Sequence, residues 1–294
     1  MCEEWFPVSQ TVMKRLISIF LALAVGIPLF AQGKVTTKKY RLADFTDKVT
    51  KVVLSGNELL SGAIREEVVA QWTASAYEFC TLEQFEKLKT DPNYYFLIAA
   101  ESRFPGEETP GITFLTLVKG DPAAAEGISA MPEIISLPLV AAAGGSGREL
   151  LFAGALVRAV QEFTLEAMES EKVAYSMESW FNRNYNKYGR MMQILIPEED
   201  LAPSVSERDL EKCLDEDFRI VSTQEADSLY LAGSYNTLVS YVVAPFIPSD
   251  GSYCYRMLFD AGSNDLFYIE RHKITPKRGV GILPEDLRRL ARRR

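Results

Sequence analysis

A single histidine, His272, serves the whole chain of 294 residues. That scarcity removes Ser–His–Asp catalysis and His-rich zinc sites as ready explanations, since both need several placed side chains. The motifs H-E-x-x-H, G-x-S-x-G and the Walker loop are also missing. Positive charge is in deficit: 32 Lys and Arg face 40 Asp and Glu, a net charge of −8. Such a chain has no general attraction for nucleic acid. There is no hydrophobic run of the roughly 20 residues that a spanning helix needs. Cysteine is sparse, with four in all. What remains is an ordinary globular composition, 47% hydrophobic and 24% charged, long enough for about two domains.

The amino-terminal text is specific. "MKRLISIFLALAVGIPLFAQGK" starts at Met13 with Lys14 and Arg15, runs apolar from Leu16 to Phe30, and offers a small residue, Ala31, before Gln32. This layout predicts a secretory signal peptide over residues 1–31, with Met13 as the expected start. The expectation is an exported protein of the periplasm, outer-membrane periphery or cell exterior, with no transmembrane span after cleavage. Removal takes away two acids and two bases, so the charge stays at −8. Cys80, Cys213 and Cys254 would remain. Three is odd, so at least one thiol is free or pairs between chains, and small buried residues are the plain reading.

The chain then repeats itself. A displacement of 141 positions lays residues 53–119 over 194–260 without a gap. Identities include Leu54 with Leu195, Glu66 with Glu207, Leu88 with Leu229, Tyr94 with Tyr235, Leu97 with Leu238 and Leu117 with Leu258. Thr81-x-x-Gln84 falls on Ser222-x-x-Glu225, and both read as capping boxes that open a helix. Each follows a short strand ("YEFC", "FRIV") and leads to a polar turn, an apolar strand, a Pro/Gly-rich loop and two further strands. Upstream, Leu60, Ile64, Val68 and Trp72 have helical spacing. The counterpart helix is predicted to open on Ser204-x-x-Glu207.

The predicted fold class is therefore α/β (α+β), two tandem β-α-β-α-β-β-β modules over residues 33–145 and 190–294. Between them, residues 146–189 read as a bridge of amphipathic helices, with Phe152, Leu156, Val160 and Phe163 on one face, followed by Val173, Met177, Trp180 and Phe181. The run of a helix, "FRIVS", the capped helix "TQEADSL" and an apolar strand resembles the small α/β modules of bacterial envelope proteins, the TolB amino-terminal domain and CsgG-like group. The resemblance covers about fifty residues per module. It implies docking or assembly in the periplasm rather than catalysis.

Candidate chemistry is thin. "AAAGGSGRELL" could cradle an anion at a helix start, but it lacks a P-loop lysine and reads better as a close-packing turn. Glu198–Asp200 and Asp215–Asp217 could supply paired carboxylates, yet they sit in loop text and are expected to be solvated. "DAGSND" reads as a hairpin turn, and His272 as an exposed strand residue. "WFNRNYNKYGR" interleaves aromatic with Asn and Arg side chains. Trp180, Phe181 and Tyr188 are expected inward, Tyr185 outward. A groove between the lobes, lined by Trp180, Tyr185, Tyr188 and Arg190, is the expected partner site. No cofactor or metal is expected. Three readings follow: a non-enzymatic binding or assembly protein whose partner is another envelope protein or a surface ligand, a surface adhesin or ligand carrier, and a carboxylate-dependent envelope hydrolase.

Overall fold

The computed structural model describes residues 42–249 and 251–291, so the expected signal peptide lies outside the described residues. The first half contains β1 (Val49–Leu54), α1 (Glu58–Gln71), β2 (Ala76–Thr81), α2 (Leu82–Leu88), β3 (Tyr94–Ser102), β4 (Ile112–Lys119) and β5 (Glu133–Ala141). A long helix α3 (Arg148–Glu169), the single turn α4 (Glu171–Ala174) and α5 (Met177–Lys187) follow. The second half contains β6 (Gln193–Pro197), α6 (Glu207–Cys213), β7 (Phe218–Val221), α7 (Thr223–Leu231), β8 (Thr237–Val243), β9 (Tyr253–Asp260), β10 (Leu266–Lys273) and α8 (Pro284–Leu290). The fold is α/β, and both halves run β-α-β-α-β-β-β.

The two five-stranded sheets have the same strand order, β2-β1-β3-β4-β5 and β7-β6-β8-β9-β10. Within each, the first three strands are parallel and the last two are added antiparallel. The most apolar strands, β3 and β8, lie at the sheet centres, where both edges of each strand are paired.

The sheets meet through unlike faces. Leu97 and Leu117 line the central core shared by both halves, whereas Leu238 and Leu258, their partners at 141 positions, line the outer core of the second half. Conversely, Ile98, Ala100 and Val118 belong to the outer core of the first half, and their partners Val239, Tyr241 and Phe259 face the centre. The helices obey the same inversion: α1 and α7 border the centre, α2 and α6 the outside. At β1 the ungapped match slips. Val52 pairs with Leu97 and Ile194 with Leu238, so Val52, not Val53, is the counterpart of Ile194.

Helix α3 is buried between the sheets through Phe152, Leu156, Val160 and Phe163. Polar side chains near its middle tie it to both halves. Gln161 Oε1 accepts from the backbone N–H groups of Thr73 and Ala74 at 2.6 and 3.0 Å. Arg158 Nε reaches Asp265 at 2.7 Å in the β9–β10 turn. Helix α5 covers the open edge of β10, with Asn182 acting in place of a neighbouring strand. Its amide donates to Ile269 O at 3.1 Å and accepts from Ile269 N at 2.8 Å, which removes an exposed edge.

The caps differ from their sequence patterns. Thr81 and Gln84 form the complete reciprocal box. Ser222 accepts from Glu225 N at 3.2 Å, but the Glu225 carboxylate turns to Arg219 at 2.7 Å, so only half of that box exists. Helix α6 is capped by Ser206 with Asp209 rather than by Ser204 with Glu207, because Glu207 is already the first helical residue. Ser204 instead donates to Arg278 O. Cys80, Cys213 and Cys254 are free and buried.

Candidate functional site

The parallel strands β1, β3, β6 and β8 send their carboxyl ends toward the start of α3, the position where open α/β sheets leave a crevice. A turn of positive-φ glycines, Gly144 (+142°) and Gly147 (+91°), brings the chain from β5 into that helix. Glu149 folds back over the turn. Its carboxylate accepts from Gly147 N at 2.9 Å, and a Cβ at Gly145 would lie 2.0 Å from Glu149 Oε1. The chain's own carboxylate thus satisfies the turn.

Two cavities adjoin this turn, of 350 and 270 Å³, and both are lined by Val140, Ala141, Gly144, Gly145 and Glu149. The larger reaches Tyr241 and Phe246 in the second half, the smaller Asn57 and Glu101 in the first. Together they form a groove at the seam. Beside it the two Pro/Gly loops that follow β3 and β8 press together, and the second of them gives Ala244 and Phe246 to the larger cavity. A Cβ on Gly251 (φ +100°) would meet Pro105 O at 2.3 Å, and one on Gly111 would meet Pro245 Cγ at 2.6 Å. Phe104 and Tyr253 pack below, ring centroids 4.9 Å apart. At the tip, Phe246 and Ile247 are 77% and 81% exposed.

The equivalent crevice of the second sheet is filled. Arg148 Nε bonds Asp227 at 2.9 Å and its NH2 group bonds Ser240 O at 2.9 Å. Its NH1 group lies 3.4 Å from Asp200, which also accepts from Ser240 Oγ at 2.6 Å. The guanidinium stacks over the rings of Phe152 and Tyr241. Burial pushes the Asp200 carboxyl up to about 6, against the pull of Arg148 and Ser240. Adjacent residues therefore do different work: Arg148 closes one crevice, and Glu149 lines the other. A guanidinium and a carboxylate after "GGSG", followed by an apolar run over residues 150–157, are the available signal for both.

The residues expected to line a partner groove divide. Tyr185 and Arg190 do share a cavity, one of 380 Å³ with Asn182, Glu270 and Arg289, but it lies on the second half rather than between the lobes. Tyr185 is buried, not outward, and its hydroxyl donates to Leu290 O at 2.6 Å. It sits one helical turn after buried Phe181, on the same face. Tyr188 is half-exposed, not inward, because it lies just past the helix end. Trp180 packs against Phe163 and Phe181.

His272 is also a correction: it is buried, because the segment after β10 folds over it. A guanidinium can only donate, so Nδ1 accepts from Arg256 at 2.8 Å and Nε2 carries the proton given to Gly279 O at 2.9 Å. Arg256 is paired in turn with Asp286 at 2.9 Å. Among the candidate acids, Glu198, Glu199 and Asp215–Asp217 are exposed, but Asp200 is buried in its ion pair. In the "DAGSND" turn, Asp260 accepts from Gly262 N and Ser263 Oγ. Among the described residues no group of three His, Cys, Asp or Glu could hold a metal ion. No helix among them is long and apolar enough to cross a membrane.

Comparison with protein-family models, curated proteins and solved structures finds no match to this chain.

Proposed function

We propose that this is an exported, non-enzymatic binding or assembly protein of the bacterial cell envelope, built from two copies of one α/β module, with a partner seated in the groove around Glu149. The groove itself carries the reading. Both halves contribute walls to it, the Pro/Gly loops beside it are pinned together, and Phe246 stands exposed at its mouth. Such a rigid concave surface with an aromatic anchor suits docking. The identical strand order of the sheets supports descent from a duplicated segment, and the resemblance to envelope modules supports the address. The apolar tip also favours a second reading, a surface adhesin or ligand carrier. Of the acids that a hydrolase reading could use, Asp200 is committed to Arg148, whereas Glu198, Glu199 and Asp215–Asp217 are exposed.

A photo-crosslinking residue placed at Phe246, with exposed Lys87 on α2 as control, tests the proposal in native envelopes. The expected outcome is a saturable crosslink to one component from Phe246 and none from Lys87. Equal labelling from both positions, or none from either, would overturn it.

A further inference from the structure

A separate cavity of 320 Å³ lies at the seam between β5, the α4–α5 turn and β10, and shares no lining residue with the Glu149 groove. Three segments distant in sequence supply its walls: Glu133 and Ser136 from β5, Tyr175, Ser176 and Glu178 from the turn and the start of α5, and Arg271 from β10. These walls carry both signs of charge. Glu178 lies 3.5 Å from Arg271. Arg271 is held in place, its NH1 group 3.4 Å from Tyr255 Oη and its guanidinium over the Tyr253 ring.

That mixture restricts the occupant. An anion would face the Glu178 carboxylate and a cation the Arg271 guanidinium, so a ligand of either charge meets a wall of its own sign. A neutral ligand with several hydroxyl groups meets no such wall. It can use the carboxylate lone pairs and guanidinium N–H groups that the pair leaves over, together with the Ser136 and Ser176 oxygens. Burial pushes the Glu133 carboxyl up to about 7, so near neutral pH it presents both donor and acceptor forms, as a hydroxyl ligand requires. Tyr175, 52% exposed at the wall, offers a flat ring on which a pyranose face can lie. The volume falls near the small end of ligand pockets. The geometry points to a binding site for a neutral saccharide, one or two rings in size.

Titration of the full chain with glucose, galactose, N-acetylglucosamine and maltose, followed in amide proton–nitrogen spectra, tests this. At least one sugar is expected to give saturable shifts at residues 133–136 and 175–179, with millimolar affinity. Tyr175→Ala and Glu178→Gln should each weaken that binding at least about tenfold. Acetate and ethylamine should give no saturable shift at these amides. The site assignment is overturned when no sugar produces saturable shifts there, when both folded variants bind as the parent does, or when a charged control binds there more tightly than every sugar. The parent spectra decide the matter even where a variant fails to fold.

Discussion

The Tyr241 hydroxyl donates to the Leu139 carbonyl at 2.6 Å. This bond runs from the central strand of the second sheet to the edge strand of the first. It satisfies a backbone carbonyl on an edge that would otherwise lack a neighbour, and it fixes the two sheets at the mouth of the Glu149 groove. Tyr241→Phe keeps the ring stacked on Phe152 but leaves that carbonyl unsatisfied. The expected cost is about 1–3 kcal/mol, read as a lower urea midpoint at unchanged slope.

Asp200 and Arg148 give a pH signature. Burial raises the folded-state Asp200 carboxyl from 3.8 to about 6. Between those values the folded protein holds a proton that the unfolded chain has released. The contribution of Asp200 to stability is therefore full below pH 3.8 and lost as pH rises through about 6. Relative to Asp200→Asn, the parent should lose on the order of 3 kcal/mol across that window. Denaturant titrations of the two proteins at matched pH check it, and a difference that is flat with pH would refute it. Arg148→Met, which strands the carboxylate, should cost about 3–5 kcal/mol near neutral pH.

The two helix caps should differ. Thr81→Ala breaks a reciprocal box, whereas Ser222→Ala removes one hydrogen bond and leaves Glu225 with Arg219. Costs of about 1–2 kcal/mol for the first and about 0.5–1 for the second are expected. Melting curves of both variants suffice, and the reverse order would contradict the cap geometry.

His272 is the only imidazole in the chain, so its spectrum is unambiguous. Burial and the neighbouring Arg256 hold it below its ordinary 6.5. At neutral pH nitrogen NMR should find the Nε2-protonated neutral ring. The unfolded chain takes up the proton first as pH falls through 6.5, so this residue costs stability on acidification from there downward. A ring that titrates above 6.5 would contradict the Arg256–His272–Gly279 chain of bonds.

The helices were legible because burial imposes helical spacing, as at Leu60, Ile64 and Val68, and β3, covered on both faces, was legible as a continuous apolar run. The Thr81 and Ser222 caps were legible because each hydroxyl serves an N–H only three residues on. What stayed hidden depended on which side of each sheet meets water. Leu97 and Leu238 read as equivalent, and topologically they are, yet one lies in the shared core and the other outside it. His272 was read as exposed because alternation cannot tell that 274–291 folds over β10. Tyr185 was read as outward although it follows Phe181 by four residues, the spacing of a common helix face. Nothing in the sequence joins Arg148 to its partners, because Asp200, Asp227 and Ser240 come from three separate segments.

Joining two modules through unlike faces has a consequence for assembly. Like surfaces pressed together close at two copies, whereas unlike surfaces leave one of each kind over and can continue into an open stack. In the described residues each leftover face carries an added cover. The 3₁₀ turns of 122–130 bring Ala124 and Ile128 onto the first sheet, and α8 brings Leu287 and Leu290 onto the second. They serve as the terminal caps of a repeat array serve. A chain shortened to remove α8 would bare a surface of the kind that modules stack upon, and would be expected to polymerise rather than merely to loosen.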